Sequence, residues 1–294
     1  MSKAPLRYVS PDEDSGRWNG FPFRRGDIVI STRSKSGTTW LQMICALLIF
    51  QVPDPPAPLA TLSPWLDALI TPKEEVYRRL EAQQHRRFIK THTPLDGIPF
   101  DERVTYMVVA RDPLDMAVSL YHQGDNLNRA RVRQLTGQTE SGSRQERAPV
   151  REWLLEWIEE DASPLDEMDS LSGVMWHLSD AWDRRGRSNV VLVHYDDLLL
   201  DLEGEMRRLA RLLSIAVPAP LWPTLINAAT FTTMRSRAER LAPNPSGILK
   251  NPAAFFRRGT SGSGRELLTE SELAHYCDRV NGMAPQALLS WLLR

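Results

Sequence analysis

Small polar residues and one lysine cluster in a single stretch, Ser34-Lys35-Ser36-Gly37-Thr38-Thr39-Trp40. The β-branched run Ile28 to Ile30 precedes it, and an apolar run from Trp40 through Phe50 follows it and is typical of a helix. The N–H groups in the first turn of a helix have no intrahelical partner, and the helix dipole favours negative charge there. A strand, a small-residue loop and a helix start therefore predict an anion site, to which Lys35 adds charge and the hydroxyls add donors. An ordinary strand-to-helix turn is the alternative, because the glycines of a regular Walker A loop are missing.

Two further basic clusters lie later in the chain. Arg111 ends the apolar run Val104 to Ala110, and Ser119 lies eight residues further on, two turns along the helix predicted next. Arg257-Arg258-Gly259 is the second cluster, in which glycine allows close backbone approach. A ligand with two separated anionic ends would engage both clusters and the Lys35 loop, with a planar base held between Trp40 and Phe231. Each residue alone also has an ordinary explanation as ion-pair partner, core residue or solvated surface, and their joint occurrence favours the ligand.

Composition narrows the class of protein. The chain has 294 residues, 42% of them hydrophobic, and a formal net charge of -1. That length and apolar content suit one large α/β domain or two small ones, of which we expect a single domain over residues 1–294. The neutral balance argues against a nucleic-acid partner. The longest apolar run is too short for a membrane span. Two cysteines without a pairing pattern indicate a reducing compartment, so we expect a cytoplasmic protein.

Four short apolar runs predict the elements that position these clusters. Strands are expected at 28–30, within 87–94 (a short buried strand running into a loop), at 104–110 and at 190–194. Each is followed by a helical pattern, which favours an α/β fold with a parallel β-sheet flanked by helices on both faces. Sites in such sheets lie at the carboxyl ends of the strands. Further helices are predicted within 66–84, over 114–123 and as one long amphipathic helix over 198–213. The polar segment at about 124–149 is predicted to be an exposed loop or a mobile lid.

Lysine is scarce, which draws attention to two of its positions. It occurs five times, and the rest of the 36 basic residues are arginine. A compact ammonium group at Lys35 and at Lys90 can follow a moving charge better than a rigid guanidinium can, so both positions are candidates for chemistry. Chance placement is the alternative for either lysine.

Taken together, these stretches resemble the family of cytosolic-type sulfotransferases, of which this chain would be a bacterial member. Ser34 to Trp40 resembles the family's 5′-phosphosulfate loop, Arg111 to Ser119 its 3′-phosphate motif, and Phe256 to Gly259 its C-terminal motif. Lys90-Thr91-His92 resembles the segment that carries the family's catalytic base. Two segments, Tyr195 to Asp197 and Thr230 to Met234, resemble its nucleotide contacts. The matches occur in the family's order and cover roughly residues 20–280.

The resemblance implies a P-loop-type sulfotransferase fold and the transfer of a sulfuryl group from 3′-phosphoadenosine 5′-phosphosulfate (PAPS) to a hydroxyl or amine, with 3′-phosphoadenosine 5′-phosphate (PAP) as product and no metal. It assigns His92 as general base, Lys35 to the leaving phosphate oxygen and Lys90 to the transferring group. The nucleotide contacts that it implies are Lys35, Ser36, Gly37, Thr38, Thr39, Trp40, Arg111, Ser119, Tyr195, Thr230, Phe231, Met234, Arg257, Arg258 and Gly259.

The acceptor and the assembly state are less defined. Tryptophans such as Trp65 and Trp153 offer apolar surface for a small-molecule or lipid acceptor, and the long polar segment suggests a bulky one such as a glycolipid. At helical spacing, Trp153 with Trp157 is more typical of core. The family's dimer motif is poorly matched at 265–274, so a homodimer stays open. Two other classes also stay open, namely a P-loop kinase using ATP and Mg²⁺ and a non-catalytic nucleotide-binding protein.

Overall fold

A four-stranded parallel sheet forms the centre of the protein. The computed structural model describes residues 4–137, 147–244 and 246–294. The strands are β1 (Ile28–Ser31), β2 (Phe88–Thr91), β3 (Thr105–Ala110) and β4 (Val190–His194), in the spatial order β2-β1-β3-β4. In the register Ser31 pairs with Thr91 and Ala110 pairs with His194. The carboxyl ends of all four strands therefore meet at one edge, and the predicted fold class is confirmed.

Helices cover both faces of the sheet, which explains why its strands are continuously apolar. Alternate residues of β1 belong to different cores: Ile28 and Ile30 pack into one cluster and Val29 into the other. The helices are α1 (Thr38–Phe50), α2 (Leu59–Leu62), α3 (Lys73–Ala82), α4 (Pro113–Asn126), α5 (Arg129–Thr136), α6 (Val150–Glu159), α7 (Leu171–Asp183), α8 (Tyr195–Leu200), α9 (Leu202–Leu212), α10 (Trp222–Ala228), α11 (Phe231–Ser236), α12 (Ala238–Leu241), α13 (Pro252–Phe255), α14 (Glu270–Asn281) and α15 (Gln286–Leu292).

One predicted helix differs from the structure, and the one or two helices predicted within 66–84 are a single helix that starts after Pro72. The helix predicted over 198–213 is broken at Asp201, whose backbone is non-helical and whose side chain accepts a hydrogen bond from the N–H of Gly204 at the start of α9. Within 66–84, only α3 is an α-helix. Residues 64–66, which precede α3, run along the outer edge of β2. Leu66 N–H donates to the Lys90 carbonyl, and Lys90 N–H donates to the Pro64 carbonyl. The free backbone groups of the edge strand β2 thus bind this segment in an extended conformation, so it does not form a helix.

The prediction of a polar loop over 124–149 is wrong for its first part. Gly124 to Asn126 complete α4, and α5 follows directly, with the Asn128 side chain accepting from the N–H of Arg131 at its start. The link between these helices is fixed from the side, since Asn128 N–H donates to the Ile248 carbonyl at 2.8 Å. Residues 138–146 of the predicted lid lie outside the described part of the chain. Across the described ranges, no helix is both long and apolar enough to cross a bilayer.

Candidate active site

A cavity of about 1790 Å³ opens at the carboxyl edge of the sheet. Most of the residues predicted from the sequence line it. Ser36 and Thr230 do not. Ser36 is buried in the turn, where its N–H donates to the Arg33 backbone carbonyl. The Thr230 side chain caps α11 by accepting a hydrogen bond from Thr233 N–H. The predicted residues around the cavity are Lys35, Gly37, Thr38, Thr39, Trp40, Lys90, His92, Arg111, Ser119, Tyr195, Phe231, Met234, Arg257, Arg258 and Gly259.

The loop between β1 and α1 owes its shape to a residue without a side chain. Gly37 has φ 112°, and a Cβ there would lie 3.0 Å from the Tyr195 ring. The loop therefore packs directly on Tyr195, and this contact requires glycine. Lys35, with φ 64°, places Nζ 3.7 Å from the centroid of the Phe255 ring and 3.4 Å from Gln123 Oε1.

Charge around Lys35 is positive. Burial, together with the nearby charges of Arg111, Lys90 and Arg257, lowers the pKa of Lys35 to about 7. Four cationic groups held this close repel one another, and a bound anion relieves that repulsion. The electrostatics of this part of the cavity thus favour a ligand of negative charge.

Arg111, directly after β3, joins the Lys35 loop to the C-terminal segment. Its Nη1 donates to the Lys35 carbonyl at 3.2 Å and its Nη2 to the Thr260 carbonyl at 2.9 Å, while its guanidinium lies 4.4 Å from the centre of the Tyr195 ring. Arg111 Nε is buried and has no hydrogen-bond partner among the described residues, and the same holds for Arg257 Nε. Buried cationic donors are costly when unpaired, so both point to a missing anionic partner. Arg258 is more exposed and lies 3.9 Å from Glu266.

Two aromatic rings line the cavity where the sequence predicts a base-binding pair. Trp40 is fixed by a hydrogen bond from Nε1 to the Ala229 carbonyl at 2.8 Å. Phe231 lies against Gly259, where an added Cβ would approach a ring carbon to 2.3 Å, and Gly259 has φ 69°. Glycine is therefore required at 259 both by its backbone conformation and by this contact. Binding of a planar base between the two rings stays a prediction.

His92 follows β2 and has a defined tautomer. Its Nδ1 is hydrogen-bonded to the Thr32 carbonyl. Since a carbonyl oxygen can only accept, Nδ1 carries the proton and Nε2 is free of one. Burial and the charges of Lys90 and Arg33 hold the pKa of His92 well below its usual value, so the ring is neutral at pH 7. The neutral ring can accept a proton at Nε2.

Lys90 lies beside His92 and shares an aromatic neighbour with it. Its Nζ is 4.1 Å from the centre of the Trp65 ring, and the His92 ring centroid is 4.7 Å from that ring. Burial lowers the pKa of Lys90 to about 8, against the opposing charges of Glu13, Asp67 and Asp169. The proximity of a lysine and a neutral histidine at one cavity wall gives a cation and a base for group transfer.

Two buried residues that support His92 were not identified from the sequence. Asp67 Oδ2 accepts hydrogen bonds from the hydroxyls of Thr91 and Thr93, which flank His92, and from Trp18 Nε1. Arg33 donates to the His92 carbonyl and to Asp169 Oδ1, the latter at 2.6 Å. The partners are far apart in the chain, and no local spacing connects them. The available signal was a charged residue in each segment: Arg33 in the loop after the first predicted strand, and Asp67 in the segment 66–84 that is predicted to be helical.

The C-terminal segment is held against α4 by one carboxylate. Asp115, buried in the first turn of α4, accepts hydrogen bonds from Gly262 N–H at 2.7 Å and from Gly264 N–H at 2.9 Å. A Cβ on Gly264 would approach the Leu114 backbone to 2.5 Å. These contacts bring the segment that carries Arg257 to the same cavity as Arg111.

The sheet, its phosphate-loop-like turn and the cationic cavity define a P-loop-type α/β protein. Residues 25–287 match the sulfotransferase domain family. The chain belongs to this family of enzymes. It is 44% identical to a glycolipid sulfotransferase of Mycobacterium bovis over 306 residues, covering 97% of this chain and 93% of the relative. A glycolipid sulfotransferase of Mycobacterium tuberculosis is also 44% identical, over 305 residues with the same coverage.

Solved structures agree with this fold. A mouse sulfotransferase crystallised with PAP superimposes with a TM-score of 0.70 at 19% identity, covering 94% of this chain and 90% of that one. The resemblance drawn from the sequence motifs is confirmed. Within the described ranges, no group of three or more His, Cys, Asp or Glu side chains is arranged to hold a metal ion.

Proposed function

We propose that the protein transfers a sulfuryl group from PAPS to a hydroxyl of a glycolipid, with His92 as general base. The observation that carries this proposal is a single cavity holding an anion loop at Lys35, an unpartnered buried arginine donor at Arg111 and a neutral histidine at its wall. The names of the mycobacterial relatives support a glycolipid acceptor. Amines and smaller hydroxylated molecules are further acceptor classes that the same site could take.

The nucleotide is held, in this proposal, by residues from three parts of the chain. Arg111, Ser119 and Arg257 bind the 3′-phosphate, because the two arginines carry the unpartnered Nε donors. Around the 5′ end, Lys35 and the start of α1 supply charge and N–H groups. The residues proposed for the base and its surroundings are Trp40, Tyr195, Phe231, Met234 and Gly259.

The chemistry then depends on three side chains. PAPS supplies the sulfuryl group when bound and leaves as PAP. His92 takes the proton of the acceptor hydroxyl at Nε2, and the hydrogen bond from Nδ1 to Thr32 keeps the ring in the required tautomer. Lys35 neutralises charge on the leaving phosphate oxygen, and Lys90 stabilises the transferring group.

The remainder of the cavity suits an acceptor with an apolar part. Its wall includes aliphatic residues from α2, from α3 and the segment before it, from α5 and the link before it, from α12, and from the segment before α13. Such a wall can hold the hydrocarbon portion of a lipid, while the polar end reaches His92. The aliphatic residues are Leu59, Ile70, Val76, Leu127, Val132, Leu241, Ile248 and Leu249.

The surroundings of the two cysteines suggest where the protein works. Cys45 is buried and Cys277 is partly buried, and neither forms a disulfide. Free thiols suit a reducing compartment, so the proposal places the enzyme in the cytoplasm.

Assays with labelled PAPS and a panel of glycolipids test the proposal. We expect labelled sulfolipid from the wild type and a transfer rate ~10²–10⁴-fold lower from His92→Ala, while both bind PAP equally. Thermal-shift titrations separate the alternatives. Stronger stabilisation by ATP–Mg²⁺ than by PAP would favour a kinase. PAP binding without transfer to any acceptor, and with no effect of His92→Ala, would indicate a non-catalytic protein.

A further inference from the structure

Asp169 lines the cavity, as do Lys90 and His92. It lies in the segment before α7, where its backbone carbonyl accepts from Trp157 Nε1 at 2.9 Å. Its Oδ1 accepts from Arg33 Nη2 at 2.6 Å, and its side chain is 32% exposed. No described residue donates to Oδ2. One carboxylate oxygen is thus fixed by the protein, and the other is available to accept a further hydrogen bond.

Arg33 couples this carboxylate to the proposed base. The guanidinium is buried, with its side chain 2% exposed, and its two terminal nitrogens have different partners. Nη1 donates to the backbone carbonyl of His92, and Nη2 donates to Asp169. Because the two nitrogens belong to one rigid planar group, the positions of His92 and Asp169 are set relative to each other.

The local charge indicates which kind of ligand group suits Oδ2. Arg33 neutralises Asp169, and Lys90 lies close enough for its pKa to respond to the Asp169 charge. Glu13, 3.8 Å from Arg33, and Asp67, which accepts from the hydroxyls of Thr91 and Thr93, are buried, and each already has a partner within the protein. Arg33 and Lys90 are thus two cationic side chains near Asp169, and both would repel an ammonium group. A neutral hydroxyl, by contrast, can donate a hydrogen bond to a carboxylate oxygen that is already oriented.

We infer that Asp169 is a specificity-determining residue, whose Oδ2 accepts a hydrogen bond from a second hydroxyl of the acceptor adjacent to the one that loses its proton to His92. This inference rests on the proposed function and narrows its substrate class. It identifies the acceptor head group as a neutral polyol with neighbouring hydroxyls, such as a sugar.

The variant Asp169→Asn tests this hydrogen bond with little change in size. Arg33 must still receive an acceptor, so the amide turns its oxygen to Arg33 and presents its NH₂ to the cavity. The carboxylate acceptor is then lost, and the NH₂ can offer the second hydroxyl only a weaker neutral hydrogen bond in the reverse direction. The probes are a long-chain vicinal diol and the primary alcohol of equal chain length. We expect kcat/KM for the diol to fall about 10-fold or more, mainly through KM, and to change less than about twofold for the alcohol.

Controls separate this inference from the function on which it rests. Asp101→Asn is the matched control, since Asp101 pairs with Arg103 at 2.6 Å and does not line the cavity. It should leave both acceptors unaffected, and PAP affinity measured by calorimetry should be unchanged in both variants. Transfer to the diol and the alcohol at equal efficiency by the wild type would overturn the inference but keep the proposed function. PAP binding without transfer to any acceptor would overturn the proposed function itself.

Other outcomes also count against the role of Asp169. An equal loss of kcat for both probes would show that Asp169 acts through Arg33 on His92. A long-chain amino alcohol preferred to the diol would show recognition of charge in place of a hydroxyl. The wild-type comparison of diol with alcohol needs no variant, so a failure of Asp169→Asn to fold leaves the inference testable.

Discussion

Replacing Arg111 by alanine probes how the nucleotide is held at its 3′ side. The Arg111 Nε is buried without a partner, while the other two guanidinium nitrogens donate to the carbonyls of Lys35 and Thr260. A phosphate that pairs with this group gains a charge-assisted hydrogen bond of about 1.5–3 kcal/mol. At 1.4 kcal/mol per tenfold change, the variant should bind PAP roughly 10- to 150-fold more weakly.

The assay is isothermal titration of wild type and Arg111→Ala with two ligands. PAP carries the 3′-phosphate, and adenosine 5′-phosphate lacks it, so the difference between their losses isolates the contact to that phosphate. We expect the loss for PAP and little change for the monophosphate. An equal loss for both ligands would refute the reasoning, since it would mean that Arg111 acts by holding the Lys35 loop and the Thr260 segment. The control is Arg103→Ala, which removes an exposed arginine just before the amino end of β3. This variant should bind both ligands normally.

Three further predictions concern catalysis, pH and stability. His92→Ala should lower the transfer rate by ~10²–10⁴-fold, the usual contribution of a general base, with PAP affinity within twofold of wild type by calorimetry. Because a bound anion raises the Lys35 pKa from about 7, PAP affinity should be greatest below that pH and should fall as pH rises above it; Lys35→Arg should remove this dependence in titrations across pH. Asp27→Ala leaves the buried Arg87 without its partner and should cost about 3–5 kcal/mol of unfolding free energy in urea melts. The change Asp161→Ala, at an ion pair whose carboxylate is 87% exposed, should cost at most about 1 kcal/mol, and similar losses for the two variants would contradict this account.

The elements that the sequence predicted well are those with strong local signals. β3 is a continuous apolar run buried on both faces, and its boundaries match the prediction to within one residue. The turn before α1 was recognisable because Gly37 and the residues around it combine a small-residue loop with an apolar helix. The break at Asp201 was missed, although aspartate is a good capping residue, because the apolar periodicity on both sides continues across it.

Local chemistry in the sequence therefore determined the strands, the anion loop and the family, since each depends on residues close together in the chain. Tertiary structure alone decided which groups support them. Asp67 reaches the threonines beside His92 from a different segment, and Arg33 meets Asp169 across 136 positions of sequence. The hydrogen-bond geometry of buried charges depends on how separate elements pack, and no spacing along the chain encodes it.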